Sequence, residues 1–381
     1  MRRSLLSLAA LPFATLFSGC RQAAAASTET TSIASPDTPF GQQLGRARAA
    51  ASLPAVAGAR VTLDGAPVTH AFGVRRGNAS DTVTNDDHFH LGSNSKAITA
   101  TLLGALVEDG VLTWDRTIGA SFPELAGTMP AAWRSVTLRQ LLTHQAGVAE
   151  FTSPAEIFGM PQATRRGTTS EQRQAFSAWV LQQPPAGRVG QFMYSNGGYG
   201  MAVAIAERAT GHTWERLLQE RLFDPLGIPA GAVRIGWPGL AGSAPWGHVA
   251  QGRAWLPHDP TDSRIIAIPA ALAPAGDMSM TMSAYARFLQ LHVRGLAGRD
   301  DVLRATTIRV LHEPDGDYAL GWGVQRNGAR TVHFHEGSAG TFHVVTLLDP
   351  ARGIAVATVT NAGGDRAADA IRDAADRALR P

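Results

Sequence analysis

Apolar residues come in short strand-like runs at both ends of the chain and recur with helical spacing through its middle. A helical pattern over Phe40 to Ala51 precedes a strand-like run from Ala55 to Leu63. Asp64-Gly65 follows, then Ala66 to Val74, and Asp-Gly between two such runs signals a hairpin. The C-terminal third repeats this grammar. Gly321 to Gln325, Asn327-Gly328 and Thr331 to His335 predict a second hairpin. Phe342 to Leu348, a turn over Asp349 to Gly353, and Ile354 to Thr360 predict a third. An Ala- and Arg-rich helix, Ala367 to Leu379, closes the chain with acids at Asp369, Asp373 and Asp376. Residues 93–290 or so read as mostly helical, with many loops. Strands from both termini thus bracket a helical insertion and are expected to meet in one antiparallel sheet. The expected class is α/β of the α+β kind: an antiparallel sheet flanked by terminal helices, plus an inserted helical domain.

Composition sharpens this picture at one residue. The chain has 381 residues, 44% apolar and 17% charged, enough for a sizeable core and too apolar for disorder. Its single cysteine excludes an intrachain disulfide and a cysteine-based zinc site. Of the 34 basic residues all but one are Arg, and the exception is Lys96. Arg stays protonated at any relevant pH, whereas a buried Lys can give up its proton.

Residues 1–26 read as an export signal: Arg2 and Arg3 precede an apolar run from Leu5 to Phe17 that is short for a membrane span. Two cleavage readings stay open. Leu16-Phe17-Ser18-Gly19-Cys20 resembles a lipoprotein box, with Cys20 as the lipidation site, and Ala24-Ala25-Ala26 offers an ordinary site before Ser27. Residues 27–38 form a polar tether. The reading places the protein in the periplasm, free or attached to a membrane through a Cys20 lipid. Cleavage before Cys20 removes two Arg and takes the formal charge from +3 to +1, so the chain carries no nucleic-acid-binding surface.

Lys96 sits in Leu91-Gly92-Ser93-Asn94-Ser95-Lys96, where a helical pattern runs from Ser93 to a stop at Gly110. Its positions are apolar on most sides, which predicts a buried helix. Ser93 and Lys96 are three apart and face the same side, while Ser95 does not. A hydroxyl nucleophile thus lies within reach of an amine that burial can neutralise. The bland alternative, an N-cap Ser93 and a surface Lys96, sets a cation against the helix dipole.

Two further segments carry polar groups among glycines. Tyr194-Ser195-Asn196-Gly197-Gly198 is placed on a loop before a helix from Tyr199 to Thr210. Tyr194 can shuttle a proton if a nearby ammonium lowers its pKa, and Asn196 can hold a substrate carbonyl. His333-Phe334-His335-Glu336-Gly337-Ser338 runs from a strand into a Gly-rich turn, where Gly337 lets a substrate lie against the strand edge. His335 can donate to a substrate carboxylate or to the hydroxyl relay. His333 shares its strand parity, so parity does not separate the two, and a solvent-exposed or core histidine with no part in a site is the reading for His333.

Together S-x-x-K, Y-x-N and H-x-G in this order resemble the serine β-lactamase and penicillin-binding protein superfamily, nearest its class C-like branch. That branch also holds D-alanyl-D-alanine carboxypeptidases, D-amino-acid peptidases and esterases. The resemblance spans residues 39–381 and includes Thr137 to Gly147, Leu222 to Gly227, Ala275 to Met278 and Gly321 to Gly323. It implies a β-lactamase/transpeptidase-like fold and an acyl-enzyme on Ser93, with Lys96 and Tyr194 sharing proton transfer. It further implies Asn196 on the substrate amide and an oxyanion hole from the backbone N–H groups of Ser93 and Ser338. Many β-lactamases carry Lys-Thr-Gly in the third motif, where this chain has His335-Glu336-Gly337. The lost cation and added Glu336 put tight recognition of a β-lactam carboxylate in question. The expected substrate is a β-lactam, a peptidoglycan-type peptide or a small ester, with no cofactor. No G-x-S-x-G occurs, against a general α/β-hydrolase, and the His pairs lack the H-E-x-x-H spacing of a zinc hydrolase. The rival that remains is a non-catalytic binding module on the same fold.

Overall fold

The computed structural model describes residues 38–240, 244–262, 267–328 and 330–380. The export signal over 1–26, Cys20 and nearly all of the tether over 27–38 lie outside the described residues. The described residues hold eleven strands: β1 (Ala55–Thr62), β2 (Val68–Gly73), β3 (Phe89–His90), β4 (Val233–Ile235), β5 (Gly247–Gln251), β6 (Ala254–His258), β7 (Met278–Met280), β8 (Gly323–Asn327), β9 (Arg330–Ser338), β10 (His343–Asp349) and β11 (Ile354–Thr360). Six form one antiparallel sheet in the order β2-β1-β11-β10-β9-β8, so N- and C-terminal strands meet at β1 and β11, with Ala59 opposite Ala357.

Strand periodicity divides this sheet into two faces. Val56, Val345, Leu347, Ile354 and Val356 pack against the terminal helices Pro39–Ala51 and Asp365–Ala378, through Phe40, Leu44, Ile371 and Ala375. Ala57, Ala59, Val344, Ala355, Ala357 and Val359 face the larger core with the helices Ser95–Glu108 and Met282–Leu296. β11 is central, and all seven of its residues are buried, as expected of a strand covered on both faces.

The middle of the chain is largely helical, but it also holds a three-stranded sheet, β3-β7-β4, and the β5-β6 hairpin. Strands of two or three residues are too short to show alternation. β3 and β7 come from distant segments, with Phe89 opposite Met280. Their pairing fixes the segment entering the Lys96 helix, because Leu91 N–H donates to Met278 O at 2.8 Å.

Candidate active site

Ser93 and Lys96 lie at the start of a helix that is buried almost throughout. The regular helix begins at Ser95; Gly92–Asn94 form a 3₁₀ turn before it. Gly92 enters that turn with φ of +49°, a left-handed conformation that glycine tolerates. Ser95 Oγ donates to Gly92 O at 2.7 Å, which turns it away from Lys96.

Lys96 is fully buried, and burial holds its amine well below the usual lysine pKa. Its Nζ donates to Asn196 Oδ1 at 2.7 Å and Ala275 O at 2.8 Å, and lies 3.2 Å from Ser93 Oγ. None of these partners is a carboxylate. A neutral amine has two N–H bonds and one lone pair. Two carbonyl oxygens take the N–H bonds, which leaves the lone pair for the Ser93 hydroxyl.

Tyr194 and Asn196 flank Ser195, the N-cap of the helix Asn196–Thr210, which starts three residues earlier than the sequence suggests. The Ser195 hydroxyl accepts from Gly198 N–H at 3.1 Å and donates to Ala149 O at 2.6 Å. His144, at φ of +61°, holds the same loop: Met193 N–H donates to its carbonyl at 2.7 Å and Ser195 N–H to its Nδ1 at 3.0 Å. The Lys96 Nζ lies 4.7 Å from the Tyr194 ring centroid. The Tyr194 pKa is pushed up to about 12 by burial, with hydrogen bonding to Ser93 pulling the other way. The condition for a lowered tyrosine pKa, a neighbouring ammonium, is therefore not met while the amine is neutral. Asn196 Nδ2 donates to Phe151 O at 2.9 Å, so its amide is oriented with the oxygen toward Lys96.

β9 brings the third motif against Ser93. A Cβ on Gly337 would stand 2.2 Å from Leu91 O and 2.8 Å from Ser93 N, and one on Gly92 would stand 2.6 Å from Ser338 N. Only glycines allow this approach, which sets the Ser93 and Ser338 backbones side by side. His335 is buried, and burial, then the proximity of Lys96, pulls its pKa down to about 3. Its Nδ1–H donates to Glu336 O at 2.8 Å, so Nε2 accepts from the Tyr318 hydroxyl at 3.0 Å. Both ring nitrogens are thus occupied, by the Tyr318 hydroxyl and the Glu336 carbonyl. His333 packs its ring on His312 at 4.6 Å and is buried, the core one of the two positions left open for it. Glu336 points to the other face, where Arg372 grips it through Nε at 2.7 Å and Nη2 at 2.8 Å.

Sequence reasoning missed Tyr318, His144 and the Ala275 carbonyl. Tyr318 lies three residues before the quoted Gly321-Trp322-Gly323, and His144 and Ala275 lie inside quoted segments. No side-chain pattern marks a backbone carbonyl as a lysine partner. Two clefts flank the site. One, about 390 Å³, is lined by Ser93, Phe151, Ile157, Asn196, Trp237 and Ser338 among others. The other, about 700 Å³, has Phe192, Tyr194, Tyr318, Phe334 and His335 on its walls. Among the described residues, neither lining includes a Lys or Arg.

The family model described as Beta-lactamase matches residues 43–379. Penicillin-binding protein 4 of Amycolatopsis lactamdurans is 27% identical over 319 residues, 80% of this chain and 80% of its own. Lovastatin esterase of Penicillium rubens is 32% identical over 163 residues, 38% of this chain and 39% of the esterase. The crystal structure of D-amino acid amidase from Ochrobactrum anthropi, complexed with L-phenylalanine amide, superposes with a TM-score of 0.69 at 22% identity. That match covers 90% of this chain and 98% of the amidase, a likeness of fold.

Proposed function

The chain belongs to the beta-lactamase family, and from that premise we propose that it is a serine hydrolase forming an acyl-enzyme on Ser93. We infer that its substrate is an ester or amide with an apolar acyl group and a leaving group without a carboxylate. The observation that carries the reading is the partner set of Lys96 Nζ, two carbonyl oxygens and the Ser93 hydroxyl.

In this reading Lys96 takes the Ser93 proton as Oγ attacks the substrate carbonyl. The ammonium that forms is faced by the rings of Tyr194 at 4.7 Å and Tyr199 at 5.5 Å, whose π faces attract a cation. The Ser93 and Ser338 N–H groups receive the oxyanion. Tyr194 gives its proton to the leaving group and regains one from Lys96. Water then attacks the acyl-Ser93 ester through the same relay and restores the free serine.

Substrate preference is read from the clefts. The smaller one holds Ser93 and apolar side chains and suits the acyl group; the larger holds Tyr194 and suits the leaving group. With no Lys or Arg among the described residues of either lining, a leaving-group carboxylate finds no ion-pair partner there. A second reading, recognition of penicillin or a peptidoglycan peptide with or without turnover, is supported by the relative matched over four fifths of its length.

A substrate panel separates them. With 4-nitrophenyl butyrate, an anilide of a short fatty acid, a chromogenic cephalosporin and a D-Ala-D-Ala peptide, the ester is expected to lead both carboxylate substrates in kcat/KM. The expected margin is at least about tenfold, the order of one lost ion pair. Faster cephalosporin or peptide turnover would favour the second reading, and binding without turnover would favour its non-catalytic form.

A further inference from the structure

Phe151 adopts φ of +50°, in the left-handed region that a bulky aromatic residue rarely enters. Such conformations persist where surrounding structure holds them, and they cluster at functional sites. Here the holder is one carboxylate. Glu156 accepts from Phe151 N–H at 3.1 Å, Thr152 N–H at 3.2 Å, Ser153 N–H at 3.0 Å and the Ser153 hydroxyl at 2.7 Å.

The Ser153 N–H contact, with Glu156 N–H donating back to the Ser153 hydroxyl at 3.3 Å, is an ordinary capping box for the short helix Pro154–Gly159. The contacts to Phe151 and Thr152 are not needed to cap it. Glu171 provides the comparison: in the capping box of the helix Thr169–Leu181 it accepts from Thr168 N–H at 2.7 Å, while its own N–H donates to the Thr168 hydroxyl at 3.3 Å. The additional reach of Glu156 goes to the turn that touches the catalytic groups.

That turn acts on the site in two ways. Its carbonyl accepts from Asn196 Nδ2 at 2.9 Å, which leaves Asn196 Oδ1 facing Lys96 Nζ at 2.7 Å. If the Phe151 peptide relaxed, the carbonyl would turn away and the amide could rotate. An NH₂ group would then be presented to Lys96, competing with Ser93 for the amine lone pair. The Phe151 ring meanwhile walls the smaller cleft, packed on Phe176 at 5.1 Å between ring centroids.

We propose that Glu156 is a positioning residue that holds the Phe151 turn left-handed, thereby orienting the Asn196 amide and setting the wall that selects the acyl chain. The proposal rests on the acyl-enzyme reading above. Glu156→Gln and Glu171→Gln each weaken one capping box, and 4-nitrophenyl acetate, butyrate and octanoate report turnover and selectivity. Glu156→Gln is expected to lower kcat about 10- to 100-fold, the range of a lost positioning contact, with a smaller change in KM and a flattened chain-length preference. Glu171→Gln is expected to match the wild type in both. Glycine accepts φ of +50° without strain, so in a Phe151→Gly background the Glu156→Gln loss in kcat is expected to shrink. Should Glu156→Gln not fold, Glu156→Asp, too short to reach all three N–H groups, is expected to show the same kinetic split. A wild-type kcat and chain-length profile in the Glu156 variants would overturn the proposal while leaving the hydrolase reading intact. A wild-type protein without ester or amide turnover would overturn both.

Discussion

The proposed role of Lys96 depends on what it lacks. No carboxylate among the described residues pairs with it, two carbonyl oxygens accept from it, and burial keeps its pKa well below the usual 10.5. The direction of that shift fixes the pH behaviour. Below the lowered pKa the amine is protonated and cannot accept from Ser93; above it the base is free. kcat/KM is therefore expected to rise with pH and reach its plateau well below 10.5. Tyr194, pushed up to about 12, is expected to cause no fall until the pH approaches that value. A pH-rate profile on 4-nitrophenyl butyrate reads both limbs. Lys96→Arg puts a permanent cation in the same place and is expected to reduce kcat by about 10³ or more, the scale of a lost general base. A profile whose acid limb stayed near 10.5 would remove Lys96 as the resting base.

At the scale of elements, the helices Ser95–Glu108 and Met282–Leu296 meet β9 through a line of buried histidines. Thr101 Oγ1–H donates to Ala97 O at 2.7 Å, so the hydroxyl accepts from His292 Nε2–H at 3.1 Å. His292 Nδ1 then accepts from His312 Nε2–H at 2.9 Å. His333 closes the line by ring packing, and its Nδ1 has no partner among the described residues. Burial pulls His292 down to about 3 and His333 to about 4, and also holds His312 well below 6.5. The unfolded chain takes up these protons near 6.5 and the folded chain does not. Stability from this line is thus present above 6.5 and lost as pH falls toward 4 and then 3. Thermal unfolding is expected to move to lower temperature between pH 7 and 4.5. His333→Phe keeps the edge-on ring contact, removes one titrating group, and is expected to make that pH dependence shallower. An unchanged dependence would mean that His333 titrates alike in both states.

The same elements show what the sequence made legible. Strand-like apolar runs joined by turn residues located the six-stranded sheet, and an apolar run with helical spacing stopped by Gly110 located the Lys96 helix. The three-stranded sheet stayed hidden in two- and three-residue strands whose partners lie far apart. At the site, Ser93, Lys96, Tyr194 and Asn196 were readable as reactive groups at fixed spacings, and the structure brings them together. Ala275 and Phe151 were not, since they act through backbone carbonyls that any residue carries. His335 was readable as a polar group, but its bond to Tyr318 depends on how β9 passes the Tyr318 segment.

The molecule as a whole places its chemistry at a junction. β9 belongs to the sheet made from both chain ends, while Ser93, Lys96, Tyr194 and Asn196 come from the helical middle. Glycines at 92 and 337 let the two parts approach to backbone contact, so the proposed nucleophile and oxyanion donors, Ser93 and the Ser93 and Ser338 N–H groups, come together only in the folded chain. A reactive serine reagent should therefore find one site. The most direct test incubates the native protein with a fluorophosphonate, follows the intact mass, and maps the labelled peptide. The account predicts one adduct per chain on Ser93, formed far more slowly in Lys96→Arg and absent after denaturation. An adduct on another residue, or undiminished ester turnover in Ser93→Ala, would contradict it.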